Sequence, residues 1–201
     1  MTRRPLFWLT IGFEGGLAVL GWGLGAYLGT PAFGQWHLTG RGIGLGLLAS
    51  VPALLGLAWV VRSVWPPFVR FRRTIDHTLA PLVADCTLVD LAVLSVMAGV
   101  GEEVLFRGVV QAALAGRIGP GLAVAVTALL FGLAHFVSVT YAVYATLFGV
   151  YLGVLLVVSG NLLAPVVTHA VYDFVALAYL VYVRPPTDAA HGGGHPRASS
   201  P

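Results

Sequence analysis

Apolar positions fall into six long runs along the chain, at residues 6–28, 42–65, 85–115, 122–139, 141–158 and 162–183, separated by short polar breaks. A helix of about 20 apolar residues spans the hydrocarbon core of a bilayer. The pattern therefore predicts an all-α fold, a polytopic membrane bundle of about six transmembrane helices. The breaks carry turn chemistry: a Pro/Gly/Gln/His loop at 30–41 and a Gly116–Gly121 stretch holding Pro120. The join between the fourth and fifth runs is weakly marked. Phe68, Phe71, Ile75, Leu79 and Leu82 recur at three- and four-residue spacing, which predicts a short amphipathic helix lying at the membrane surface. The third run is longer than a span needs, with Asp85 and Asp90 placed at its wet end.

The first run follows Arg3 and Arg4, as a signal peptide would, but it is too long for one, lacks a clear cleavage site and contains Glu14. It reads as a retained helix. Glycines at 12, 16, 21, 25 and 29 give it the small-residue spacing that lets membrane helices approach closely. Residues 1–84 are expected to form two spans and a basic interfacial segment, and 85–183 a second helical unit. The Pro/Gly/Ser/Ala-rich tail, 184–201, is expected to be disordered, with His191 and His195 inert within it.

Composition fixes the class. The chain is 58% hydrophobic and 9% charged, against about 25% charged in soluble domains, so an integral membrane protein is expected, without a nucleic-acid partner. A single cysteine, Cys86, excludes an intramolecular disulfide and reads as a packing residue. The positive charge is all arginine. With six spans and a cytoplasmic N-terminus, Arg3, Arg4, Arg62, Arg70, Arg72, Arg73, Arg184 and Arg197 lie inside and only Arg41 and Arg117 outside, the bias that sets orientation. The expected location is the plasma (inner) membrane, both termini cytoplasmic.

Against this apolar background the ionisable residues stand out, because charge at membrane depth is costly and marks functional cavities. Glu103 and Arg107 are four apart and share a helix face, so they can pair; Glu102 points about 100° away and is left for another task. His135 lies on the next run at a matching depth from the outer boundary, about 1.5 Å per residue. His169 and Asp173, four apart, share a face of the last run; counted from Asn161, His169 lies nearer the boundary than the other two unless residues 161–165 dip inward. Glu14 is read as a structural polar contact. Three helices thus bring polar groups to compatible depths, which points to one shared site. A metal there is the weaker reading, because the set lacks the H-E-x-x-H helix, and the expectation is no cofactor. A scaffold or immunity protein, or a proton-coupled carrier, is the competing class; a carrier would show internal repeats, and no convincing one is present.

Glu-Glu-x-x-x-Arg at 102–107, Phe-x-x-x-His at 131–135 and His-x-x-x-Asp at 169–173 resemble the three ordered motifs of the CPBP family, the CAAX prenyl endopeptidases and bacteriocin-processing proteases, called Abi proteins in bacteria. The resemblance covers about residues 85–183. It implies an intramembrane endopeptidase whose substrate is a peptide or protein, membrane-associated or lipidated. By that resemblance Glu102 is the general base, His135 its partner in activating water, and His169 the oxyanion stabiliser. Glu103 and Arg107 form the supporting pair. Prenyl proteases of eukaryotes carry Asn at the position of Asp173, which is therefore expected to orient His169.

Overall fold

The first run forms α1 (Arg4–Leu28), ended by Gly29, whose φ of 67° no side-chain-bearing residue adopts cheaply. The structure, a computed structural model, describes residues 4–184; the expectations for Arg3, His191, His195, Arg197 and the tail lie outside the described residues. Helix α2 (Gly40–Arg62) starts earlier than the hydrophobic pattern suggests because the Thr39 hydroxyl accepts the Gly42 N–H and caps it. It also stops before residue 65: Trp65 precedes Pro66, which holds it in extended conformation.

Pro66 opens the interfacial helix α3 (Pro66–Thr78). The expected stripe does not run unbroken to Leu82. Pro81 has no N–H with which to continue α3, the chain restarts as α4 (Ala80–Val83), and Val83 is buried while Leu82 is exposed. Phe68 is the buried anchor, its ring edge-on to Trp59 and Trp65.

The third run is one unbroken helical rod over residues 88–118. It comprises α5 (Leu88–Glu103), a π-helical segment (Val104–Gln111) and α6 (Ala112–Ile118). Thr87 and Asp90 form a reciprocal capping box at its start. Gly119, at φ 80°, ends it, and Pro120 opens α7 (Pro120–Ala134). Helix α7 is shorter than its apolar run because His135 terminates it. Then α8 (Val139–Ser159) starts on the Ser138 hydroxyl and ends at left-handed Gly160. The last rod is α9 (Leu163–Ala178), continued by a π-helical segment (Tyr179–Val183).

The described residues contain four helices long and apolar enough to cross a membrane: Phe7–Leu28, Gly40–Arg62, Val139–Ser159 and Leu163–Val183. Of the two other rods, 88–118 carries Asp90, Glu102, Glu103, Arg107 and Arg117, and α7 has 15 residues.

Helix α1 packs on α5 and the π segment, α2 on α9, α5 on α9, and α7 on α8. Among the α1 glycines, Gly21 and Gly25 serve close approach: a Cβ at 21 would stand 3.1 Å from the Leu105 backbone and one at 25 would meet Val109 and Ala32. Gly12 and Gly16 face open space. The facing glycine is Gly101, against which the Glu14 backbone is pressed. One end of the bundle is basic, where Arg72 donates to the Val60 and Ser63 carbonyls and Arg184 pairs with Asp76 at 2.6 Å. At another junction Asn161 exchanges hydrogen bonds with the His37 backbone, tying the 30–39 segment to the start of α9.

Candidate active site

The site begins at the junction of α5 with the π-helical segment. Glu102 and Glu103 close α5 and Arg107 lies in the π-helical segment, and all three are buried; π-helical geometry is frequent at functional sites. Arg107 Nη1 donates to Glu103 Oε1 at 2.8 Å, the pairing that the four-residue spacing predicts. Its Nη2 donates to the Gly149 carbonyl of α8 at 3.1 Å, and its guanidinium lies 4.3 Å from the centre of the Phe131 ring. One turn on, Gln111 donates to the Gly153 carbonyl at 3.0 Å. A Cβ at Gly153 would stand 2.7 Å from the Gln111 amide oxygen. Two buried rungs therefore lock this rod to α8. Gln111 went unnoticed in the sequence, although Arg107/Gln111 and Gly149/Gly153 share one four-residue register.

His135 is the C-cap of α7 rather than a residue inside a span. His135 Nδ1 donates to the Phe131 carbonyl at 2.9 Å, the same oxygen that accepts the His135 backbone N–H at 3.2 Å. A carbonyl only accepts, so Nδ1 carries a hydrogen, and in the neutral ring Nε2 presents a lone pair. That nitrogen lies 3.5 Å from Glu102 Oε2. Phe131 thus supports both sides of the site, through its ring under Arg107 and its carbonyl under His135.

His169 reaches the same place although counting from Asn161 sets it nearer the boundary. Residues 161–166 are all buried, and Asn161 and Leu162 bond the 30–39 segment, so α9 starts inside the bundle. His169 Nδ1 donates to Glu103 Oε1 at 2.8 Å. Its Nε2 lies 3.4 Å from Asp173 Oδ2 and 4.0 Å from Glu102 Oε2. The shortest bond to this imidazole therefore comes from Glu103, whereas the sequence suggests Asp173 as its orienting partner. Glu103 Oε1 takes both Arg107 and His169, while the outward carboxylate, Glu102, has a buried Oε2 without a hydrogen-bond partner.

Glu102, His135, His169 and Asp173 line one cavity of about 330 Å³. Tyr141 stacks on His135, and the Tyr144 and Tyr172 hydroxyls bond each other at 2.9 Å along its wall. Phe71, Ile75 and Leu79 of the interfacial region line the same cavity, beside Arg72. Among the described residues, no three His, Cys, Asp or Glu side chains are grouped to hold a metal ion. Glu14, read from the sequence as a structural contact, also lines this cavity.

No curated protein and no solved structure gives a significant match to the chain. Residues 85–175 match the model of the family described as type II CAAX prenyl endopeptidase Rce1-like, a stretch that contains the π-helical rod, the His135 cap and the His169–Asp173 pair. Through that segment the chain is similar to the Rce1-like CAAX prenyl endopeptidases, a likeness that supports an intramembrane endopeptidase in general type.

Proposed function

We propose that the chain hydrolyses a peptide bond inside the membrane with a water activated jointly by Glu102 and His135. The observation that carries this reading is the facing pair Glu102 Oε2 and His135 Nε2, 3.5 Å apart in a buried cavity. Both atoms are acceptors, one by its charge and one by the tautomer that the Phe131 carbonyl imposes. A water between them donates one hydrogen to each and turns its lone pairs outward to a substrate carbonyl carbon. Glu102 takes the proton as the water oxygen bonds to that carbon, and returns it to the leaving nitrogen as the carbon–nitrogen bond breaks. His169 stabilises the oxyanion with an Nε2–H that Asp173 accepts at rest. Glu103 and Arg107 supply the frame, and no metal takes part.

In this reading residues 85–183 form the catalytic bundle, residues 1–84 add two spans and the interfacial segment, and six rods cross the membrane. The arginine-rich end, with Arg72 and Arg184, faces the cytoplasm of an inner membrane. The substrate is a peptide or protein delivered from the bilayer, and the apolar side chains of Phe71, Ile75 and Leu79 in the cavity lining suit a membrane-associated or lipidated one. The experiment is a comparison of membrane peptides from cells carrying the wild-type protein or Glu102→Ala, followed by turnover of a recovered peptide by purified Glu102→Gln. Loss of cleavage in both supports the reading; near wild-type turnover by Glu102→Gln ends it and favours a non-proteolytic scaffold or immunity protein.

A further inference from the structure

Glu14 is the one buried carboxyl in the cavity that the hydrolytic scheme leaves unused. It belongs to α1, outside the residues matched by the family model, and keeps only 8% of its exposure. Because Gly101 has no side chain, the α1 backbone at Glu14 sits directly against α5, one residue before Glu102. Phe7, Thr10 and Glu14 line the cavity at helical spacing, which makes α1 one of its walls. Glu14 shares the cavity lining with Glu102 of α5, His135 at the end of α7, and His169 and Asp173 of α9. The buried cation, Arg107, is engaged by Glu103 and Gly149. The Oε2 atoms of Glu14 and Glu102 are both buried without a hydrogen-bond partner.

Glu14 and Glu102 share the cavity with Asp173, and burying every one of these carboxyls ionised, with two imidazoles beside them and no partner for either Oε2, is costly. Neighbouring carboxyls lower that cost when one of them holds a proton. Glu102 has to be the ionised member if it is the base, which leaves the proton to Glu14. We infer that Glu14 is a positioning residue of the hydrolytic site, a neutral carboxyl that donates through a bridging water toward Glu102 and holds it for proton abstraction. The proton stays on Glu14 through the cycle. This inference rests on the proposed role of Glu102 as general base.

The test uses the full chain in nanodiscs. At neutral pH the infrared difference spectrum of wild type against Glu14→Gln should contain a protonated-carboxyl stretch that the variant lacks. With a peptide that wild type cleaves, Glu14→Leu should lower kcat about tenfold, the worth of one hydrogen bond, with KM little changed. Glu14→Gln keeps an N–H donor and should stay close to wild type. The inference is overturned if no such band is lost, if Glu14→Leu keeps full kcat, or if Glu14→Gln is as impaired as Glu14→Leu. Should Glu14→Leu fail to fold, the infrared band and the Gln variant decide. Wild-type turnover by Glu102→Gln would instead remove the base itself, while the infrared band still reports on Glu14 alone.

Discussion

Glu103 and His169 are joined at 2.8 Å, from the imidazole Nδ1 to the same carboxylate oxygen that holds Arg107. One fully buried side chain therefore ties the 88–118 rod to the last helix, although 66 positions separate it from the histidine. Orientation of His169 is accordingly assigned here chiefly to Glu103, with Asp173 at 3.4 Å as the secondary contact.

That assignment predicts a ranking. Glu103→Gln should reduce turnover more than Asp173→Asn, because Asn can still accept from or donate to a neighbour at the more open position. His169→Ala should cost more than Asp173→Asn, roughly 2.7–4 kcal/mol of barrier if it is a single oxyanion donor. Rates for the three purified variants on one peptide check it; an Asp173→Asn loss equal to that of His169→Ala would return the orienting role to Asp173.

Arg107→Ala should lower both the melting temperature and the activity. The arginine and Glu103 are fully buried, and breaking a buried pair from one side costs about 3–5 kcal/mol. The variant also loses the Gly149 bond and the contact with Phe131. Thermal unfolding in detergent is the measurement, and an unchanged midpoint would show that the pair carries no stability.

Glu102→Gln, His135→Ala and the double variant should be almost equally inactive, because residues acting as one unit are strongly non-additive. All three should still insert and fold, since an uncharged side chain is cheaper to bury at that depth than a carboxylate. Independent, additive losses in turnover would mean that the two residues do not share one water.

Gly101→Ala should be destabilising and Gly16→Ala close to neutral. A methyl group at 101 meets the Glu14 backbone and forces α1 away from α5, an overpacking that costs about 1–3 kcal/mol. Position 16 faces open space. Unfolding midpoints compare the two, and equal effects would mean that α1 does not pack on α5 through that contact.

Exhaustive chelation should leave activity intact. Loss on chelation with recovery on stoichiometric zinc would move the chemistry from Glu102 and His135 acting on free water to a metal-bound water.

The sequence by itself determined the helical class, the positions of most rods, and the residues that meet in the cavity. Hydrophobic run length and the cost of membrane charge are local properties, readable without knowing any neighbour. The Glu103–Arg107 pair was legible for the same reason, since a four-residue spacing on one helix is a contact in its own right. Other features depend on which helices lie side by side. Counting from Asn161 does not locate His169 by itself, because where a helix starts relative to its neighbours is set by the segment folded over it, not by its own residues. The short α7 ends where the His135 imidazole folds back onto the Phe131 carbonyl, a bond that hydropathy does not register. The glycines of α1 looked equivalent, but only Gly21 and Gly25 face another backbone. Glu14 looked like an isolated polar contact because the cavity that it faces exists only once α1 is packed against α5. Spacing along one helix is written in the chain; distance between helices is decided by packing.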